Sequence, residues 1–400
     1  MTDTEIALSG ADFTRDPHPT YQRLNADGPV HRVTLAGGIP AWLVTDRDVC
    51  REVLNDPRFS KDMAGTWHAF QRQEVPLTGD VVIGMGDSML VSDPPRHTRL
   101  RSLVSKGFTA RRIERLAPHI EATAHRLVER LRAGDGTADI VADYAALLPM
   151  QTICPLLGVP EEDGLELRLA IETVMSSDDT GQEAAFAAFE RVHGYLAGHV
   201  AAKADAPGDD LTTALIEARE DGDRLSNEEL VSMLALLLSA GHETTVNLIA
   251  SMTLALLAEP GARQALRADP ERWGDAVEET LRWDGPIQNA LWRFTRAEVS
   301  IGGVQVPAGE AVAVSLASAN RDAGKVECPH AFDLDRAERH HLAFGHGIHH
   351  CLGAGLARLE GRIAGRVLFD AFPDMRLLDE PEYRRSTVSR APLHVRVALG

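Results

Sequence analysis

The chain has 400 residues, of which 44% are hydrophobic and 25% charged, and its formal net charge is −18. This composition suits a large globular protein with a substantial core, and the acidity argues against a general nucleic-acid binder or an anionic-membrane anchor. The four cysteines are scattered, and residues 1–5 lack both a basic start and an apolar run. We therefore expect a protein of the reducing cytoplasm, without a signal peptide and not bound to membrane.

In chain order, the predicted elements are mostly helical, with strands near the two ends. Strands are predicted at residues 30–35, 41–45, 299–306, 311–316 and 393–398. Helices are predicted at residues 111–132, 162–175, 182–203 and 226–258. We expect one mainly α domain over residues 1–400, with a small β-rich lobe (about 25–60, 287–320 and 380–400) and a helical core (about 90–286 and 340–375).

The helix predicted at 226–258 has the clearest signals. Ser226 and Glu229 form a capping-box pattern ahead of a periodic apolar run. Residues 231–241 are almost wholly apolar, but a membrane span needs about 20 such residues, so we predict a buried helix. The polar sequence His-Glu-Thr-Thr at 242–245 interrupts it. Threonine hydroxyls can bond carbonyls one turn back, and we expect a functional kink there.

Cys351 closes a glycine-rich loop, Phe-Gly-His-Gly-Ile-His-His-Cys-Leu-Gly at 344–353, that leads into a predicted helix. A helix N-terminus favours a thiolate, and Gly345, Gly347 and Gly353 allow close backbone approach to whatever binds the sulfur. This pattern suits a soft metal centre. Two other interpretations stay open: a buried structural thiol, and a zinc site formed with the neighbouring histidines.

Two further patterns are weak when taken alone. Glu279 and Arg282 are spaced to form an ion pair on one helical face. Residues 93–101, Asp-Pro-Pro-Arg-His-Thr-Arg-Leu-Arg, begin another helix with proline near its first turn.

In this order, the segments at 93–101, 240–245, 279–282 and 344–353 together resemble the cytochrome P450 family, over nearly the whole chain. The loop matches the family pattern F-G-x-G-x-H-x-C-x-G at every fixed position. The chain is most similar to soluble actinobacterial members of secondary metabolism, including macrolide and steroid hydroxylases. The resemblance implies the cytochrome P450 fold, with a long central helix over heme b (iron protoporphyrin IX).

The resemblance also implies residue roles. Cys351 would be the thiolate ligand of iron, Glu243 and Thr244 the acid–alcohol pair that relays protons, and Glu279–Arg282 a structural core pair. The other cofactor-binding positions would be His97, Arg101, Ala240, Gly241, Arg293, Phe344, Gly345, His349 and Gly353. The substrate-pocket positions would be Trp67, Met85, Met89, Leu238, Asn289, Ala290, Leu291 and Pro392.

The implied activity is insertion of one oxygen atom of O₂ into a C–H bond of a fairly large apolar substrate. Electrons would come from a separate ferredoxin and ferredoxin reductase, and the basic residues of 96–115 would suit docking of a small acidic protein. We expect a monomer that binds no nucleic acid. The alternatives are a peroxide-driven peroxygenase, an oxidative coupling enzyme and a non-catalytic heme sensor.

Overall fold

The computed structural model describes residues 6–76, 81, 87–175, 181–218 and 222–400. Helices occupy most of this part of the chain. Their bounds are Ala11–Arg15, His18–Asp27, Arg47–Asn55, Met63–Thr66, His68–Gln71, Arg96–Ser105, Ala110–Glu114, Ala117–Arg132, Leu147–Leu157, Gly164–Met175, Gly181–Asp205, Leu211–Glu217, Asn227–Ala258, Pro260–Ala268, Trp273–Asp284, Leu316–Asn320 and Ala354–Ala371.

The described strands form three sheets. In chain order they are β1 (Ile6–Leu8), β2 (Val30–Leu35), β3 (Ile39–Val44), β4 (Phe59–Ser60), β5 (Thr137–Asp139), β6 (Asn289–Thr295), β7 (Val299–Ile301), β8 (Val304–Val306), β9 (Ala311–Ser315), β10 (Arg376–Leu377) and β11 (Arg396–Ala398). The largest sheet has the order β1-β2-β3-β9-β6-β4, the second is β10-β11-β5, and β7 pairs with β8.

The helix Asn227–Ala258, here called the central helix, crosses the protein. At 1.5 Å per residue it is about 48 Å long. Its predicted capping box is present: Ser226 Oγ accepts from the Glu229 N–H, and the Glu229 carboxylate accepts from the Ser226 N–H. By length and composition it could cross a membrane, but 67% of its most apolar 18-residue window is buried within the protein. It is the core helix of this fold.

The predicted kink does not interrupt the central helix. The helix runs without a break from Asn227 to Ala258. Thr244 Oγ1 does donate to the Ala240 carbonyl, at 2.7 Å, while Thr245 Oγ1 instead reaches Glu360 at 3.4 Å. A threonine can therefore bond one turn back without breaking the backbone ladder.

The helix predicted at 111–132 is two helices, Ala110–Glu114 and Ala117–Arg132. Pro118 lies in the first turn of the second one. Proline has no N–H to donate to the preceding turn, so it begins a helix more readily than it continues one.

Five of the described strands were not predicted: β1, β4, β5, β6 and β10. Two of them, β5 and β6, show why. β5 has only three residues, and its partner β11 is more than 250 positions away in sequence, so its pairing is nonlocal. As a result, the end of the chain, assigned above to the β-rich lobe, contributes β11 to a sheet with β5 of the helical region. The second strand, β6, pairs antiparallel with β9 but changes register between Ala290 and Arg293. This bulge obscures the alternation on which strand prediction depends.

Candidate active site

A cavity of about 350 Å³ opens between the central helix, the loop that carries Cys351 and strand β6. The central helix contributes Ala240, Gly241, Glu243 and Thr244 to its lining. The distant segments singled out in the sequence therefore meet at one place. The other predicted heme-site residues in the lining are His97, Arg101, Arg293, Phe344, Gly345, His349, Cys351 and Gly353.

Cys351 faces this cavity just before the helix Ala354–Ala371. Its backbone N–H donates to the Phe344 carbonyl at 2.8 Å, which closes the loop. Gly345 and Gly347 have φ of 73° and 74°, a region that glycine adopts without strain. Gly353 has an ordinary φ of −83°; a Cβ there would lie 4.0 Å from the Cys351 sulfur. Two of the three glycines therefore shape the turn, and the third lies beside the sulfur.

Burial raises the pKa of the Cys351 thiol, whereas a hydrogen bond from the Gly353 backbone and the charges of Arg101 and Arg358 act in the opposite direction. Burial dominates, so the helix terminus alone does not produce the thiolate expected from the sequence. A metal ion would, because a coordinating thiol is deprotonated outright.

Positive charge also accumulates in the lining of the cavity. Burial lowers the pKa of Arg293 to about 10, opposed by the charge of Asp93. Burial also lowers the pKa of His349 to about 2, reinforced by Lys61, His97, Arg293 and Arg101. The His97 and His349 rings are 4.3 Å apart between centroids. These groups repel one another, so the cluster favours an anionic ligand.

The surroundings of His97 indicate independently that the cavity binds a ligand. Its side chain is buried, and neither ring nitrogen has a hydrogen-bond partner within the protein. Buried polar atoms are normally satisfied, so a partner from outside the chain is expected. The carboxylates of a heme fit this requirement, because charge-assisted bonds to carboxylates are strong. The sulfur and the cationic cluster in the lining of one cavity thus match the iron and the propionates of a heme.

Lys61, which the sequence analysis missed, stabilises the bulge in β6. Its buried ammonium donates to the carbonyls of Leu291 and Trp292, at 2.7 Å each. The bulge lets the consecutive residues Ala290 and Leu291 both line the cavity, together with Arg293. No local motif marks Lys61, since its partners lie about 230 positions away.

On the central helix, Glu243 is mostly buried and accepts a hydrogen bond from Arg384 at 2.7 Å. Thr244, the next residue, donates to Ala240 and lines the cavity. Arg384 also lines a small outer cleft. Glu243 therefore connects the cavity, through Arg384, to this cleft.

Glu360 is a second acid in the lining that the sequence analysis missed. Burial raises its pKa to about 8, although Thr152 and Thr245 hydrogen bonds act against this. Its carboxyl is therefore largely protonated near neutral pH. A signal did exist: Glu360 falls on the face of the helix Ala354–Ala371 that carries Leu356, Ile363 and Val367, and an acid on an apolar face needs a reason.

Glu279 and Arg282 form a buried fork, with nitrogen–oxygen distances of 2.7 and 2.8 Å. Arg282 also donates to the carbonyls of Asn320, Pro329 and Ala331. Arg336 adds a second cation 3.3 Å from Glu279. The network ties the helix Trp273–Asp284 to the segment that leads to the cysteine loop.

The structure places some of the predicted pocket residues in the cavity lining and others outside it. Met89, Ala290 and Leu291 belong to the described cavity lining, and Met85 lies outside the described residues. Four predicted residues are not in that lining: Trp67, Leu238, Asn289 and Pro392.

Each of the four has a physical reason to be elsewhere. Trp67 is buried beneath the large sheet, stacked on Trp292 and Phe294. Leu238 packs in the helical core, and the Asn289 amide donates to the Thr387 carbonyl. Pro392 pairs with Tyr383, and the lining residues near it are instead Val388 and Ser389.

The zinc interpretation is not supported. In the part of the chain that the structure describes, no group of three or more His, Cys, Asp or Glu side chains could hold a metal ion. A heme iron needs a single protein ligand such as Cys351, because the porphyrin supplies the others.

Comparison with known proteins agrees with this geometry. A sequence profile of the family Cytochrome P450 matches residues 274–372. The chain is 46% identical to the cytochrome P450 monooxygenase PikC of Streptomyces venezuelae over 93% of this chain and 88% of PikC. It is 44% identical to the vitamin D(3) 25-hydroxylase of Pseudonocardia autotrophica, over 100% of this chain and 97% of that protein.

Solved structures give the same result. CYP154C4 from a Streptomyces species superimposes with a TM-score of 0.91 at 36% identity, covering 99% of this chain and 98% of that one. Myxobacterial CYP267B1, solved with myristic acid, gives 0.90 at 37% identity, covering 98% of each chain. Because these likenesses in sequence and structure span the whole cavity, the chain belongs to the cytochrome P450 family and is a monooxygenase that uses heme b.

Proposed function

We propose that this enzyme inserts one oxygen atom of O₂ into a C–H bond of a fairly large, neutral, apolar substrate such as a macrolide, polyketide or steroid. The observation that carries the proposal is the apolar character of the lining on the described substrate side: Met89, Leu90, Leu237, Ile287, Leu291 and Val388. Relatives named for such substrates, including 6-deoxyerythronolide B hydroxylase of Saccharopolyspora erythraea, support it.

A panel of macrolides, steroids and small aromatic compounds tests the substrate class through the change in heme absorbance on binding. We expect macrolides or steroids to bind at least about tenfold more tightly than single-ring aromatics, because they bury more apolar surface. Equal affinity across the panel would contradict the assignment to large substrates.

In this proposal Cys351 binds the iron, and His97, Arg101, Arg293 and His349 hold the propionates. The heme, when bound, supplies the redox chemistry that activates dioxygen. The protein's own residues position the substrate, exclude water and deliver protons. Glu243 is the proton donor and Thr244 Oγ1 the relay, since the two residues are adjacent and both line the cavity. A peroxide-driven enzyme or a heme sensor has less need of this pair, and we rank those two alternatives below. The pair does not separate hydroxylation from oxidative coupling, which stays the alternative.

Replacing Thr244 by alanine should leave heme binding intact but lower the product formed per electron consumed by about tenfold, because the proton route is interrupted. The measurement is product yield against reduced nucleotide oxidised, together with peroxide released. Thr253→Ala is a matched control, since its hydroxyl makes the same one-turn-back bond on the same helix, to Ile249 at 2.8 Å. If Thr244→Ala is coupled as well as the parent, Thr244 is not the relay.

We further propose that the electron donor is an acidic ferredoxin that docks beside the cysteine loop and is served by a ferredoxin reductase. Of the predicted basic segment, Arg96 and Arg99 are engaged by Asp87, Asp223 and Glu229. Arg101 is assigned to the propionates above, and the remaining basic residues of the patch are Lys106, Arg111, Arg112 and Arg115. The patch packs against the start of the helix that follows Cys351, since a Cβ at Gly355 would be 3.4 Å from Ile113. We propose a monomeric cytoplasmic enzyme.

Reversing Arg112 to glutamate should slow reduction by ferredoxin severalfold at low ionic strength, with the difference shrinking as salt screens the charges. Rapid-mixing reduction kinetics measure this. Arg130→Glu makes the same charge change at an exposed position of the helix Ala117–Arg132. Docking at this patch is ruled out if the two variants behave alike.

A further inference from the structure

Arg358 lies close to the loop that carries the sulfur. Its guanidinium carbon is 4.5 Å from the centre of the Phe344 ring, a cation–π arrangement. Phe344 is joined to Cys351 through the hydrogen bond between its carbonyl and the cysteine N–H. The same ring is flanked by His341 and His350, with centroid separations of 5.9 and 6.4 Å. The aromatic residue next to the sulfur is thus held between three side chains.

Glu278 fixes the orientation of Arg358. Its two carboxylate oxygens accept from Arg358 Nε and Nη2 at 2.6 and 3.0 Å. The ring Nε2 of His341 lies 3.2 Å from the same carboxylate, and its Nδ1 accepts from the Ala343 N–H at 3.2 Å. One acid on the helix Trp273–Asp284 therefore orients two of the three side chains that contact Phe344.

The charges of Glu278 and Arg358 stabilise the orientation of the two side chains. Burial would raise the pKa of Glu278, but hydrogen bonds from His341 and Arg358 outweigh it and lower the pKa to about 2. Glu278 is therefore ionised at physiological pH, and the bidentate fork holds Arg358 in one orientation. Arg358 also interacts electrostatically with Cys351.

We propose that Arg358, oriented by Glu278 and His341, is a positioning residue that holds Phe344 beside the heme ligand and keeps a positive charge near the sulfur. This inference rests on the proposed role of Cys351 as that ligand. One-electron reduction adds negative charge to the centre, so a nearby cation favours the reduced state. Loss of Arg358 therefore lowers the reduction potential without removing any group that touches substrate.

The test is a dye-mediated redox titration of the heme in the intact enzyme, without a protein electron donor. For Arg358→Gln we expect the equilibrium constant for reduction to fall by about tenfold, equivalent to about 59 mV for one electron. Arg358→Lys keeps the positive charge, but a lysine ammonium can neither make the bidentate hydrogen bond to Glu278 nor stack on Phe344 as a guanidinium does. It should therefore recover less than half of the shift in potential. His341→Gln should shift the potential in the same direction by a smaller amount.

The matched control is Arg362→Gln, which removes an exposed arginine one turn further along the same helix and should leave the potential unchanged. A purely structural role for Arg358 would lower thermal stability while the potentials of all the variants stay equal, and that result overturns the inference. Full recovery of the reduction potential in Arg358→Lys would also overturn the inference, because the charge alone would then be responsible. The absorbance of the reduced carbon monoxide complex of the parent tests the Cys351 assignment separately, so the two failures are distinguishable.

Discussion

Cys351→Ser is expected to abolish monooxygenase activity while the protein keeps its fold. The substitution replaces sulfur by oxygen in nearly the same volume, and a neutral hydroxyl is a poor substitute for a thiolate ligand of iron. The side chain faces the cavity rather than packing in the core, so little stability depends on it. We expect heme content to fall and the absorbance band typical of thiolate ligation to disappear from any heme that remains.

Cys328→Ser is the control for this experiment, because Cys328 is an exposed free thiol. Its activity and spectrum should equal those of the parent. The measurements are heme per protein, circular dichroism and product formation, made on both variants. Retention of activity and of the thiolate band in Cys351→Ser would remove Cys351 from the ligand position.

Glu279→Gln is expected to have the largest effect on stability. Glu279 is buried and balances both Arg282 and Arg336, so its neutralisation leaves two buried cations without their acid. Breaking a buried ion pair from one side costs about 3–5 kcal/mol. The free energy of unfolding, measured in urea by circular dichroism, should fall by that amount, and heme should be lost more readily.

The chain contains a matched control for that substitution. Glu129 and Arg132 have the same three-residue spacing and a distance of 2.6 Å, but both side chains are at least half exposed. Glu129→Gln should change the free energy of unfolding by less than about 1 kcal/mol, as surface pairs do. Similar effects at the two positions would mean that Glu279 is not a core support.

This contrast also shows what could be predicted from sequence. The spacing of Glu279 and Arg282 occurs at Glu129 and Arg132 as well, and only the family resemblance separated the two. The central helix was well predicted because its cap and its apolar run are local signals. The glycine loop was recognised because residue identities at fixed spacing specify it.

Residues that depend on distant contacts were the ones missed. Lys61 and Arg384 acquire their roles from β6 and the central helix, far away in sequence. Trp67 and Leu238 were assigned to the pocket from position alone. On the central helix, a shift of one residue moves a side chain to another face. Leu237 and Ser239 line the cavity where Leu238 does not.

The most direct test of the central claim is the absorbance spectrum of the purified, reduced protein with carbon monoxide. If Cys351 binds the iron of heme b in this cavity, the spectrum will show the long-wavelength Soret band that thiolate-ligated heme gives, and Cys351→Ser will lack it. A parent spectrum with a Soret band typical of histidine ligation, or with no heme bound at all, would contradict the assignment of this site.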